Sequence, residues 1–172
     1  MIFFVSDLHL SAQTPTLTRI FLDFLGSRAR AAEALYILGD LFEYWVGDDD
    51  LEDPANAAIA GALRELSDSG VELNIMRGNR DFLFGERFAA ATGARLLTDP
   101  HVLSLPAWQF VLSHGDMLCT DDAEYQAFRT QSRAAEWQTA FLAKPLAERR
   151  AIARALREQS EAGKHEKAQG NN

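Results

Sequence analysis

An α/β fold is the class this sequence predicts, on three observations. Short apolar runs recur at Phe3-Phe4-Val5-Ser6, Leu35-Tyr36-Ile37-Leu38, Leu73-Asn74-Ile75-Met76 and Phe110-Val111-Leu112-Ser113, each of a length suited to a buried strand. Segments of helical period separate the first three runs. Each run is followed closely by side chains able to ligate a cation: Asp7 and His9, then Asp40, Asn79 and His114. Strand and helix in alternation imply right-handed crossovers and largely parallel pairing. That topology gathers the strand ends at one edge of the sheet, where open α/β folds keep their chemistry.

Bulk properties narrow the field. A chain of 172 residues with 47% apolar composition is long enough for a single domain with a real core. The formal charge of -8 argues against a nucleic-acid protein working through a broad basic face. Residues 1–143 hold 10 Lys and Arg against 21 Asp and Glu, whereas residues 144–172 hold 7 against 4. An acidic body therefore carries a mildly basic tail, suited either to an anionic surface or to plain solvation. Cys119 is the lone cysteine, so no internal disulfide can form and a reducing cytoplasm is expected. No apolar run approaches the roughly 18 residues of a membrane span. Met1-Ile2-Phe3-Phe4 enters a strand without the basic start of a signal peptide.

Taken in order, the first strand covers residues 2–6. Continued extension would point Asp7 and His9 one way and turn Leu8 and Leu10 to the core. Leu17, Ile20, Phe21, Phe24 and Leu25 then fall at helical spacing behind Pro15. The second strand ends in Gly39-Asp40, placing Asp40 on the first turn beyond it, at the centre of the expected metal site. Gly47-Asp48-Asp49-Asp50 is an acidic turn, read as a solvated loop in preference to a cation site. A helix over about Ala55 to Ser67 presents Ile59, Leu63 and Leu66 and closes near Gly70. The third strand delivers Gly78-Asn79-Arg80-Asp81. Gly78 permits close backbone approach, Asn79 offers a neutral carbonyl, and Arg80 is either a planar fork for phosphate or the surface partner of Asp81. A short helix at residues 86–92 stops at Gly93, and Pro100 and Pro106 bracket an edge strand containing a structural His101. Past His114-Gly115-Asp116 the chain turns helical. Asp121 and Glu124 form a capping box, and an aromatic helix runs from Tyr125 through Phe128, Trp137 and Phe141 to Pro145. A further helix carries Leu146, Ile152, Ala153 and Leu156 on one side, with Arg149, Arg150, Arg154 and Arg157 elsewhere around it. Residues 162–172 are polar and expected to be disordered.

Together, Asp7-x-His9, Gly39-Asp40, Gly78-Asn79 and His114-Gly115-Asp116 resemble the signature of calcineurin-like metallophosphoesterases. Gly39-Asp40-Leu41-Phe42-Glu43 with Trp45 and Gly47-Asp48-Asp49, Gly78-Asn79-Arg80-Asp81-Phe82, and Cys119-Thr120-Asp121-Asp122 with Tyr125-Gln126-x-Phe128-Arg129 are similar to the UDP-2,3-diacylglucosamine diphosphatase family within that superfamily. In most of the superfamily His follows the Asn, and Arg80 is typical of this branch. The resemblance extends to about residue 167. It implies mixed β-sheet layers flanked by helices, as a metallophosphoesterase core at 1–120 with a C-terminal helical cap at 121–161. It also implies two divalent ions, usually manganese, with Asp7 and His9 on the first, Asn79 and His114 on the second, and Asp40 between them. Asp40, Asn79, Arg80 and His114 are the catalytic candidates. Asn79, Arg80, Asp122, Ser160, Lys164 and Lys167 are the substrate contacts, the last three resting on an ungapped alignment. The activity implied is attack of a metal-activated water on the diphosphate of a UDP-linked diacylated glucosamine, releasing UMP and a 2,3-diacylglucosamine 1-phosphate in lipid A biosynthesis. Such an enzyme works peripherally at the cytoplasmic face of the inner membrane and implies no obligate protein partner. Phe82, Phe128, Trp137, Phe141, Ile152 and Leu156 either line a channel for acyl chains or simply pack the cap on the body.

Members of the family continue past the cap into further strands and a Gly-His-x-His motif. Here His165 is the only histidine after His114. A C-terminally truncated form is therefore expected, with the final strands missing, an apolar sheet edge exposed, weaker metal binding and reduced turnover. Two other functions stay open: a dimetal phosphoesterase acting on nucleotides or phosphomonoesters, and a non-catalytic binding module.

Overall fold

The computed structural model describes the backbone of residues 1–169 and the side chains of residues 1–160. Four strands, β1 (Ile2–Val5), β2 (Ala34–Leu38), β3 (Glu72–Met76) and β4 (Arg95–Leu97), form a sheet in chain order. All three pairings are parallel, with Ile2 opposite Ala34, Ala34 opposite Glu72, and Asn74 opposite Arg95. The crossovers run through α1 (Pro15–Gly26), α2 (Pro54–Asp68) and α3 (Glu86–Thr92). A separate antiparallel hairpin joins β5 (His101–Leu105) and β6 (Trp108–Leu112). Three helices end the described chain: α4 (Ala123–Ser132), α5 (Ala135–Leu142) and α6 (Leu146–Gln169). The expected α/β class with mixed sheet layers is thus observed.

Residue alternation along β2 explains the layering. Leu35 and Ile37 join Leu73, Ile75, Phe21, Leu25, Ile59 and Leu63 in the larger core, under the helices. Ala34 and Tyr36 face the other way, onto a smaller core with Met76, Leu97, Leu103 and Leu112, which the hairpin covers. The central strands are buried on both faces and so read as continuous apolar runs. Asp53 caps α2, its carboxylate accepting from Ala55 N at 2.9 Å.

Several local expectations differ from what the structure shows. The stripe of α1 is only partly buried: Phe21 and Leu25 are inside, while Ile20 is 56% exposed. β4 has no counterpart in the sequence reading, because three residues are too few to show a period. The aromatic helix is two helices, α4 and α5, broken at Arg133-Ala134. Its N-cap is Asp122, which accepts from Tyr125 N at 3.0 Å, so the cap lies one residue after Asp121. α6 continues through Gln169 and takes in most of the span expected to be disordered, in keeping with the helix-forming Ala, Glu and Lys found there. Residues 170–172 lie outside the described residues.

The acidic turn is the largest departure, for it is neither a solvated loop nor a cation site. Asp48 accepts from Gly85 N and Phe88 N, each at 3.0 Å, and so serves the free N–H groups at the start of α3. Asp49 pairs with Arg149 and Asp50 with Arg150, at 2.9 Å and 2.7 Å. Arg149 also donates to the Val46 carbonyl and is 3% exposed. Arg149 and Arg150, read as belonging to a basic tail, therefore point inward and fasten α6 to the body, as does Arg157 through Glu43, while Arg154 is exposed.

The Asp49–Arg149 pair predicts an acid dependence. The Arg149 guanidinium holds the Asp49 carboxyl below the usual carboxylate range. A folded value below the unfolded one means that the pair contributes stability above the unfolded pKa and loses it as pH falls through the folded pKa. Urea midpoints measured from about pH 6 down to about pH 3 should fall less steeply in Asp49→Asn than in the parent chain. Parallel slopes would remove this pair from the acid response.

Candidate metal centre

Because β1, β2 and β3 are parallel, their carboxyl ends lie side by side and deliver Asp7, Asp40 and Asn79 to one edge. The turns after β1 and β2 run together. Asp7 N donates to Gly39 O at 3.1 Å, His9 N to Asp40 O at 3.0 Å, and Leu10 N to Leu41 O at 2.9 Å. This pairing is not the extended continuation expected for Asp7-x-His9. Asp7, His9 and Asp40 all have left-handed backbones, with φ of 55°, 49° and 54°. Non-glycine residues seldom adopt that conformation, and such strain concentrates where function demands a particular side-chain direction. Glycines make room at the meeting point. A Cβ on Gly78 would lie 2.1 Å from Asp40 Oδ1, and one on Gly39 would lie 2.6 Å from His114 Nδ1.

The acceptors converge on one place. Asp7, Asp40 and His114 each bring a ligating atom within 4.8 Å of the others. His114 Nδ1 lies 2.9 Å from Leu38 O. A carbonyl only accepts, so Nδ1 carries a proton there and Nε2 is the ring nitrogen left free to ligate. That Nε2 faces Asn79 Oδ1 at 2.9 Å and Asp40 Oδ1 at 3.6 Å. On the other side, His9 Nδ1 is buried without a hydrogen-bond partner and stands 3.9 Å from Asp40 Oδ2. Burial first, and then the Arg80 guanidinium, keep the His9 imidazole below its usual pKa and hence neutral. The two oxygens of Asp40 thus look toward different imidazoles. The donor set of carboxylate, imidazole and amide oxygen, without thiolates, fits divalent metal.

Asp81 is the residue that sequence reasoning missed. It is not the surface partner of Arg80. It is fully buried, and its carboxylate accepts from Gly78 N at 2.8 Å, Leu41 N at 2.7 Å, Asp40 N at 3.2 Å and Phe42 N at 3.4 Å. It therefore ties the turn carrying Asp40 to the turn carrying Asn79. Burial and the neighbouring Asp40 charge push its carboxyl up to about 7, against the pull of the backbone N–H donors. No local signal distinguishes such a residue from any Asp beside an Arg. Glu43 was likewise without a role in the sequence, yet it receives Arg80 Nη1 at 2.5 Å and Arg157 Nε at 2.6 Å.

Beside this cluster opens an apolar groove lined by Phe82, Phe128, Trp137, Phe141, Ile152 and Leu156, with Asn79, Arg80 and Ser160 also in its wall. Asp122 sits at the start of α4 as its cap. Lys164 and Lys167 lie outside the residues whose side chains are described.

Fold and donor set define a class: α/β proteins that gather oxygen and imidazole donors for divalent cations at the carboxyl ends of parallel strands. Comparison with known proteins makes this specific. No family model matches the chain. UDP-2,3-diacylglucosamine hydrolase of Chromobacterium violaceum is 56% identical over 165 residues, covering 96% of this chain and 69% of the relative. The enzyme of the same name from Stenotrophomonas maltophilia is 52% identical over 167 residues, covering 97% and 67%, and that of Aromatoleum aromaticum is 51% identical, covering 96% and 67%. The chain belongs to the UDP-2,3-diacylglucosamine hydrolase family. Among solved structures, the nuclease MPE of Pseudomonas putida overlaps 59% of this chain at 24% identity with a TM-score of 0.44, too loosely to bear on fold or chemistry.

Removing the Asp81 carboxylate should be costly. Asp81→Ala leaves buried donors on both turns unpaired, for an expected loss of at least about 3 kcal/mol in urea unfolding. Asp81→Asn should fare little better, since its amide nitrogen would meet donors. A loss under about 1 kcal/mol for both variants would contradict the account of this tie.

Proposed function

We propose that this chain hydrolyses the diphosphate bond of a UDP-linked 2,3-diacylglucosamine, giving UMP and 2,3-diacylglucosamine 1-phosphate, with two divalent ions, manganese by preference. The observation that carries the reading is adjacency: Asn79 and Arg80 belong to the ligand turn and also line the apolar groove. A diphosphate at the cluster would have apolar cover for acyl chains directly beside it. Membership of the family supports the substrate.

On this reading Asp7 and His9 would hold one cation and Asn79 and His114 the other, with Asp40 serving both. Divalent cations in such a site supply Lewis acidity and make water nucleophilic near neutral pH. The chain's own groups do the rest. His114 is kept in the ligating tautomer by Leu38 O. The Arg80 guanidinium, oriented by Glu43 at 2.5 Å, binds an oxygen of the phosphoryl group and stabilises charge developing there. Two dications against Asp7 and Asp40 leave a local charge of ~+2, which draws a diphosphate to an acidic protein. Phe82, Phe128, Trp137 and Leu156 screen the acyl chains from water. Asp122, Ser160, Lys164 and Lys167 are the remaining substrate contacts, with residues 121–161 acting as a cap over the core. Among the described residues no helix is long and apolar enough to cross a membrane. Contact with the inner-membrane surface would then be peripheral, at its cytoplasmic side.

The test compares UMP release from UDP-2,3-diacylglucosamine with hydrolysis of the deacylated sugar nucleotide and of an aryl phosphate. Acyl-dependent UMP release is expected, abolished by chelation and restored by manganese. Arg80→Ala should lower kcat about 10²–10³-fold. Equal rates on the deacylated substrate would point to a general phosphoesterase and sink the proposal. Replacing Trp137 by Ala should raise KM for the acylated substrate and leave the deacylated one unchanged, which separates a chain-binding groove from mere packing.

A further inference from the structure

Arg133 lies where α4 ends, and its guanidinium reaches three things at once. Nη2 donates to Gly78 O at 2.9 Å, stands 3.7 Å from Asp116 Oδ2, and the guanidinium carbon lies 4.8 Å from the centre of the Phe82 ring. Gly78 O belongs to the peptide that joins Gly78 to Asn79. The other side of Gly78 is held as well, its N–H by Asp81 at 2.8 Å and its Cα against Asp40. One residue further on, Arg80 N donates to Asp40 Oδ1 at 2.9 Å. The direction of the Asn79 side chain thus depends on a short backbone stretch pinned from several sides, and the pin supplied by Arg133 comes from the helical part of the molecule.

The carboxylate near that same nitrogen, Asp116, is itself held in place. Asp116 is buried two residues after His114. It accepts from Tyr125 OH at 2.5 Å and from Arg129 Nε at 2.9 Å. A flat fork can face a carboxylate, a carbonyl and an aromatic ring together, which an ammonium cannot. Phe82 in turn packs against Trp137 of α5, with ring centres 6.1 Å apart.

We propose that Arg133 is a positioning residue that ties the seating of α4 and α5 to the orientation of Asn79, so that the helices flanking the groove help set the affinity of the metal site. This deepens the hydrolase reading and rests on it for the catalytic consequence. Groups behind metal ligands commonly matter by about 10–100-fold in affinity or activity, and Arg133 acts in that manner through a backbone carbonyl.

The experiment uses the whole 172-residue chain. Manganese titration by calorimetry should show about tenfold weaker binding in Arg133→Met and Arg133→Lys, with thermal midpoints close to the parent. Arg129→Met, which removes another partner of Asp116 without reaching Gly78, should leave manganese affinity within about twofold, well inside that range. A double-mutant cycle supplies the decisive comparison. In an Asn79→Ala background, Arg133→Met should cost nothing further. Equal losses in both backgrounds, or equal losses in Arg129→Met, would show a general structural role and overturn the proposal. In the metal-free protein the side-chain amide resonances of Asn79 should shift in Arg133→Met and not in Arg129→Met; unmoved resonances count against it independently of manganese. Absence of UMP release by the parent chain would defeat the hydrolase reading while leaving these binding and resonance results to decide on Arg133.

Discussion

Four backbone N–H groups from two different turns end on the single carboxylate of Asp81, and the arrangement of the candidate metal centre depends on that convergence. Parallel strands bring their ends to a common edge but leave the turns beyond them free to diverge. A buried acceptor reaching into both turns removes that freedom, because a buried N–H without a partner costs more than a made hydrogen bond gains. Gly78 and Gly39 complete the constraint by letting the backbones approach to a separation that a Cβ would forbid. Left-handed conformations at Asp7, His9 and Asp40 are the strain this close approach sustains.

A second set of ion pairs joins the last helix to the body, and its carboxylates come from the stretch following Asp40. Glu43 engages Arg80 and Arg157, Asp49 engages Arg149, and Asp50 engages Arg150. Part of the body's acidic excess and part of the tail's basic excess thus meet in one interface among the described residues. The groove wall is formed along the same seam, so its shape depends on how the helices are fastened.

The elements most legible in the sequence were those with a strong local period or a strong local breaker. β2 and β3 are apolar runs closed by Gly39 and Gly78, α2 has its Ile59-Leu63-Leu66 stripe behind Asp53 and Pro54, and α3 stops at Gly93. β4 was invisible because three residues show no period, and the break between α4 and α5 because neither Gly nor Pro marks it. In the site, Asp7, His9, Asp40, Asn79 and His114 could be picked out because each follows a strand. Asp81 and Glu43 could not, since their partners are up to 41 and 114 residues away.

What the sequence by itself determined is therefore the set of strands, the helices that connect them and the side chains placed at their ends, for these follow from periodicity and chain punctuation over a few residues. Tertiary structure alone decided which of the many acidic residues hold the backbone, which bind arginines of the last helix and which gather at the candidate metal centre. Those choices turn on burial and on neighbours brought together by folding, and a buried carboxylate takes its role from the donors around it rather than from the residues beside it in the chain.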